Sequence, residues 1–176
     1  MSARISAPRT DVAGLEELEP LWKQLHVHHR EVSRYGRLVE DLGVSWARRL
    51  RWYRQLLNEG GVYLTATDDS ELVGYAMLTF ADGPDDTFVS ANGIPELVTL
   101  VIDQAHRSAG LGRELLAAAE QAVRDRGFDT LKIAVMAGNT RAQGFYEAAG
   151  YEVAELLLYR NFGDLGVNMP PESPEN

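Results

Sequence analysis

The sequence predicts a mixed α/β fold in which one mostly antiparallel sheet is packed by helices. Three observations carry that expectation. Two amphipathic segments of helical period open the chain, two runs of period two follow, and from residue 96 onward strand-like and helix-like runs alternate. A length of 176 residues fits one core, and 45% hydrophobic with 24% charged residues is the balance of an ordinary globular chain.

A short strand is expected over residues 4–6. Thr10 and Asp11 then offer a helix cap, and residues 12–31 carry Leu15, Leu18, Leu21, Trp22, Leu25 and Val27, mostly at helical spacing. A second helix is expected over residues 45–58, with Trp46, Leu50, Tyr53, Leu56 and Leu57 on one side. Arg48, Arg49, Arg51 and Arg54 then read as its solvated face, and residues 33–43 as a loop. Next, GVYLTAT and ELVGYAMLTF, joined by DDS, form a hairpin pattern with a short polar turn. The polar loop ADGPDD leads to Phe88 and Val89. A strand over 96–102, a helix over 110–126, the strand TLKIAVM, a helix over 140–149 and a final strand, VAELLLYR, complete the order. Residues 163–176 are polar and proline-bearing and are expected to be a disordered tail, so the single domain occupies residues 1–162.

The bulk numbers exclude several chemistries. There is no cysteine, so disulfides, thiolate catalysis and cysteine-based zinc sites are ruled out. Acidic residues outnumber Lys and Arg by 26 to 17, a formal net charge of −9, which repels nucleic-acid backbones and mildly attracts cationic small molecules. The first residues lack the apolar core of a signal peptide, and no apolar stretch approaches the ~20 residues that span a bilayer. The expectation is a cytoplasmic protein with neither membrane nor nucleic-acid partner.

The segment ELVTLVIDQAHRSAGLGRELL places Arg107, Gly110 and Gly112 where a strand turns into a helix. A P-loop is excluded, because Gly112 is followed by Arg113 and Glu114 rather than by a lysine and a hydroxyl. A dinucleotide-binding GxGxxG is excluded because Leu115 stands at the third glycine. What remains is either a plain tight turn or a cradle in which free N–H groups and the helix dipole hold a pyrophosphate. Several N–H bonds at roughly 1.5–3 kcal/mol each would outweigh a dipole of at most ~2.

A second segment, GNTRAQGFYEAAGYE, lies one strand further on. Together the two resemble the paired signatures of GNAT-type acyl-CoA N-acyltransferases: Arg107 to Gly112 matches the [Q/R]-x-x-G-x-[G/A] loop, and Asn139, Ala142, Phe145, Tyr146, Gly150 and Tyr151 match the second motif. The resemblance spans residues 61–162. It implies the GNAT fold, a splayed central sheet flanked by helices, with acetyl-CoA as co-substrate and an amine as acceptor.

The resemblance also nominates residues. Glu96, at the start of the strand that leads to the glycine loop, is the candidate general base, with a solvated glutamate as the plain alternative. Tyr146 is the candidate general acid for the departing thiolate, against the reading of a core aromatic on an amphipathic helix. Arg107, Ser108, Ala109, Gly110, Leu111, Gly112 and Arg113 would hold the pyrophosphate. Leu100, Val101 and Ile102 would pair with the pantetheine arm along a bulged strand, a backbone N–H near Leu100 or Val101 serving an oxyanion. Asn139 is a further cofactor contact or simply a helix cap. His26, His28 and His29 lack a spaced acidic third ligand, His106 is weaker still, and no metal is expected.

The expectation is therefore an N-acetyltransferase working by direct attack in a ternary complex. A CoA-binding sensor without transfer activity and a nucleotide-binding protein are the alternatives. Trp22, Tyr35, Trp46 and Tyr53 in the N-terminal region are compatible with an aminoglycoside, a polyamine, an amino acid or a protein N-terminus as acceptor. The resemblance admits a homodimer, while the residues themselves leave the oligomeric state open.

Overall fold

A computed structural model of the chain describes residues 3–80, 87–90, 92–107 and 110–163. The loop and tail expectations at residues 81–86 and 164–176 lie outside them, as do Ser108 and Ala109. Elements follow the order β1 (Arg4–Ile5), a 3-10 turn (Ala13–Leu18), α1 (Glu19–Val32), α2 (Leu42–Asn58), β2 (Val62–Asp68), β3 (Glu71–Thr79), β4 (Glu96–Ile102), a 3-10 turn (Gln104–His106), α3 (Leu111–Arg124), β5 (Lys132–Ile133) and α4 (Thr140–Glu147). The five strands form one sheet in sequence order, antiparallel throughout except for β4 with β5.

Local chemistry accounts for most boundaries. Asp11 accepts the Gly14 N–H at 3.2 Å, which starts the 3-10 turn, and Pro20, tolerated only in a first turn, opens α1. The single helix expected over 12–31 is thus two. Asp41 accepts the Val44 N–H at 2.8 Å and starts α2 three residues earlier than the apolar pattern alone places it. Between β2 and β3, Asp69 and Ser70 both take positive φ, 46° and 72°, the handedness a two-residue hairpin needs.

Each face of the sheet carries its own core. On one, α3 lays Leu111, Leu115, Leu116, Ala119, Ala122 and Val123 over Val62, Leu64, Ala76 and Leu97. On the other, α1 and α2 bury Leu21, Trp22, Trp46, Tyr53, Leu56 and Leu57 against Tyr63, Tyr75, Met77 and Val101. Each fully buried large side chain contributes about 1.5–3 kcal/mol. Trp22, Trp46 and Tyr53 are therefore core residues, leaving only Tyr35 of the four N-terminal aromatics substantially exposed. Nor is Arg49 merely solvated: its guanidinium lies 3.8 Å from the Trp22 ring centroid and 4.7 Å from that of Trp52.

β4 carries a bulge. Met77 pairs with Thr99 and Leu78 with Leu97, so Val98 is the extra residue. Its effect shows in the packing: Val98 sides with the α1–α2 core and Thr99 bonds there too, whereas Leu97 and Leu100 both pack on the α3 side. Behind the bulge the Tyr53 hydroxyl meets Thr99 Oγ1 at 2.5 Å and the Tyr75 hydroxyl at 3.2 Å. Burial raises the pKa of both tyrosines, so the cluster stays neutral.

Two expected strands are cut down. TLKIAVM supplies only Lys132 and Ile133 to the sheet, and VAELLLYR forms no strand within the chain; its large apolar side chains are exposed. Period and composition identify a segment able to pair, but not whether its partner edge lies within reach.

The buried hydroxyl cluster yields a prediction. Tyr53→Phe strands the hydroxyls of Thr99 and Tyr75, and denaturant unfolding should show a loss of about 1–3 kcal/mol with an unchanged m-value.

Candidate functional site

The site is built where β4 and β5 part. Their ladder is two residues long, Glu96 with Lys132 and Leu97 with Ile133. Beyond it β4 runs on to Ile102, still paired to β3 through Thr99, Leu100, Val101 and Ile102, while its other edge faces no strand among the described residues. An open row of backbone donors and acceptors inside a sheet is a place for an extended ligand to pair.

At the end of that edge the chain turns into α3. Gly110 caps the helix at φ 88°, a left-handed conformation that side chains disfavour by about 1–2 kcal/mol. Its carbonyl accepts the N–H of Arg113 at 2.9 Å and of Glu114 at 3.2 Å. The Arg113 amide is therefore spent inside the protein, which narrows the expected cradle to the amides ahead of it. Leu111 and Gly112, in the first turn, have no intrahelical acceptor. Arg107 turns its Nε back to the Ile102 carbonyl at 3.1 Å, fixing the exit of the strand, whereas the Arg113 side chain is exposed.

Gly112 is the informative glycine. Its φ is not in the left-handed region, and the nearest described atoms a methyl there would meet are those of the Phe145 ring and Ile102 at 3.7–3.8 Å, ordinary contact distances. Neither backbone strain nor internal packing requires glycine at this position. A ligand that approaches the backbone closely would require it.

α4 closes the mouth from the β5 side. Asn139 caps it, Oδ1 accepting the Ala142 N–H at 3.1 Å, and is buried. Phe145 reaches α3 beside Gly112, and Tyr146 packs edge-on against both Phe145 and Tyr151, at 5.1 and 5.7 Å between ring centroids. The Tyr146 hydroxyl has no hydrogen-bond partner among the described residues, and burial pushes its pKa up to about 12. It is a protonated donor at neutral pH. Glu96 stands at the closed end of the parting, half-buried, its Oε2 3.9 Å from Lys132 Nζ. At ~3.3 Å per residue, β4 sets Glu96 ~20 Å from Ile102.

The helices that wall the other side are tied to this frame by contacts no sequence pattern announces. Gln24 of α1 donates to Asp103 Oδ2 at 2.7 Å and accepts the Gln104 N–H at 3.2 Å. Asp103 also accepts from Ala105 and from the His106 ring; the Gln24 bond foremost holds its carboxyl below the usual range. The end of α1 presses on the turn before α4, where a Cβ at Gly138 would lie on the Val32 carbonyl. Next to that contact, Val27, Arg30, Glu31, Gly36, Leu38 and Glu40 line an open cavity of about 450 Å³.

This geometry coincides with the comparisons. The model of the acetyltransferase (GNAT) family matches residues 22–151. The chain belongs to the GNAT family. The uncharacterized protein YxbD of Bacillus subtilis is 29% identical over 127 residues, covering 68% of this chain and 72% of that protein. Among solved structures, the PaiA N-acetyltransferase of Thermoplasma acidophilum in complex with coenzyme A superposes with a TM-score of 0.66 at 21% identity, over 89% of this chain and 93% of that one. The aminoglycoside N-acetyltransferase AAC(6')-Iy in complex with CoA gives 0.68 at 18% identity, over 92% and 97%. At these identities the likeness is one of fold, and it agrees with the five-stranded parted sheet described above.

Within this GNAT domain the histidines of α1 do separate things. His26 is buried, Nε2 2.8 Å from the Val39 carbonyl and stacked on Trp22. His28 faces Glu31 at 3.7 Å. His29 meets Trp22 edge-on, and burial, then the neighbouring His26, His28 and Arg49, lower its pKa from 6.5 to about 4. No described helix is long and apolar enough to cross a membrane.

His29 gives a pH prediction. Because its folded value lies below its unfolded one, the unfolded chain binds the proton first as pH falls. Stability is therefore lost between about 6.5 and 4. His29→Gln should flatten that part of a Tm-against-pH curve relative to the parent, by the equivalent of about 1–3 kcal/mol.

Proposed function

We propose that this chain is an acetyl-CoA-dependent N-acetyltransferase that passes the acetyl group to a primary amine, with both substrates bound at once. The observation that carries the reading is Gly112, a first-turn helical glycine that neither its backbone conformation nor its described neighbours require, set beside amides with no acceptor among the described residues, at the end of an open strand edge. Diphosphate oxygens at the Leu111 and Gly112 N–H groups, with the Arg113 side chain exposed alongside, account for the glycine and the amides. The pantetheine arm carries amides of its own and can lie along Leu100, Val101 and Ile102 as an added strand. Coenzyme A supplies an activated thioester; the rest falls to residues of the chain.

Glu96, directly or through water, takes a proton from the attacking amine, and an N–H of the bulged β4 near Leu100 or Val101 stabilises the oxyanion. The Tyr146 hydroxyl, kept protonated by burial, gives its proton to the leaving sulfur. Asn139 orients the start of α4 through its cap. The chain has no cysteine to carry an acetyl group as a thioester, which favours direct transfer. A cationic acceptor suits the formal charge of −9.

Two glycine variants test the cradle. Gly112→Ala should fold as stably as the parent, or up to about 1 kcal/mol more so, since alanine favours the helix, while calorimetry shows coenzyme A bound at least about tenfold more weakly. Gly110→Ala should instead lower stability by about 1–2 kcal/mol through its left-handed backbone. Undiminished coenzyme A binding by Gly112→Ala, or none by the parent, would overturn the reading.

Transfer is tested by free-thiol release from acetyl-CoA against a panel of amines. Once an acceptor is found, Tyr146→Phe should lower kcat by about 10²–10⁴-fold with little change in KM for acetyl-CoA. Glu96→Gln should lower kcat by about 10²–10⁴-fold with little change in KM for acetyl-CoA. Release of thiol with none of the amines, despite tight coenzyme A binding, would favour a sensor.

A further inference from the structure

The turn between β4 and α3 pivots on Asp103. Its N–H donates to the Val73 carbonyl at 2.7 Å, so its backbone is held by the sheet, while its side chain gathers three donors. Oδ1 accepts the Ala105 N–H at 2.9 Å and bonds the His106 ring at 3.1 Å, and Oδ2 accepts from Gln24 Nε2 at 2.7 Å. Ala105 and His106 belong to the turn itself. Gln24 comes from α1, 79 residues away.

The Gln24 contact has a polarity. The side chain is half-buried and its amide works both ways, Nε2 donating to Asp103 while Oε1 accepts the Gln104 N–H at 3.2 Å. A carboxamide presents a donor and an acceptor from one end, whereas a carboxylate only accepts. The pair therefore fits in one orientation: with the amide turned over, its NH2 would face the Gln104 N–H and its oxygen the Asp103 carboxylate. Through this clasp α1 grips the end of β4 and the turn together. The chain that leaves the turn sends Arg107 back to the Ile102 carbonyl and enters α3 at Gly110.

We propose that Gln24 is a positioning residue for coenzyme A, acting through Asp103 and Gln104 to set where the first-turn amides of α3 stand. The groups assigned to the diphosphate all lie on α3, yet α1 fixes the turn they follow from. Hydrogen bonds weaken steeply with misalignment, so a loosened turn costs affinity without removing a contact. The inference rests on the diphosphate reading of that first turn.

Charge separates this role from plain electrostatics. Coenzyme A is a polyanion, so if charge alone mattered Gln24→Glu would weaken its binding and Asp103→Asn would strengthen it. Positioning predicts that both weaken it. The first substitution sets two carboxylates together; the second sets two NH2 groups together, and rotating either amide strands the N–H of Gln104 or of Ala105. Combined, the two restore the clasp with its polarity reversed and the net charge unchanged.

Calorimetry with coenzyme A, well below each Tm, gives the test. Gln24→Glu and Asp103→Asn should each bind it about tenfold more weakly than the parent, and the double variant should return to within about threefold. A role confined to stability would lower Tm and leave the affinity alone. Gln24→Ala, which loses both bonds at a position where alanine suits the helix, should also weaken binding and decides the matter if a charged variant fails to fold. Tighter binding by Asp103→Asn, no recovery in a folded double variant, or undiminished binding by Gln24→Ala would each overturn the proposal while the diphosphate reading stands. A parent that binds no coenzyme A would overturn both.

Discussion

A parallel ladder only two residues long governs the rest of this molecule. β4 must stay in register with β3 to hold two cores together, yet part from β5 to expose an edge. The extra residue at Val98 reconciles the two demands, because a bulge bends and twists a strand without cutting it from its neighbour. It also spares the packing: Val98 and Thr99 both serve the α1–α2 side, after which Leu100, Val101 and Ile102 resume alternation.

An exposed edge in the middle of a sheet survives only if its other contacts are firm. Here the firmness comes from behind. Tyr53, Tyr75 and Thr99 close a hydrogen-bonded group in a space too dry to hold a charge, and Arg49 lies over the aromatic layer beside it. From the end of the strand, Asp103 ties the turn to Gln24 of α1, and Arg107 ties the loop back to Ile102. The first turn of α3 is thereby held in place from both the strand and α1.

Much of this is legible in the sequence where the signal is local. The hairpin turn at Asp69 and Ser70, the strand over 96–102, the helix that begins at Gly110 and the cap at Asn139 each follow from chemistry within a few residues. What escapes the sequence is long-range. Gln24 and Asp103 are polar residues in unremarkable settings, far apart along the chain, and no periodicity links them. Trp22, Trp46 and Tyr53 lie on an apolar helical stripe that suits both a core and an acceptor wall; burial decides for the core. The last apolar run has every property of a strand except a paired neighbour among the described residues. Arg113 illustrates a subtler limit: sequence places its amide in the cradle, but whether that amide is free depends on how tightly Gly110 winds the first turn.

Gly138 has a wider effect than its size implies. The Val32 carbonyl occupies the space its side chain would fill, so the last turn of α1 rests on bare backbone at the start of α4. The wall that would meet an acceptor and the turn that leads to the Tyr146 helix therefore touch backbone to backbone at this point. Variation in the connection over residues 33–41 can reshape one rim of the cleft without disturbing the alignment of the other, which gives a single scaffold the freedom to change clientele while its chemistry stays put.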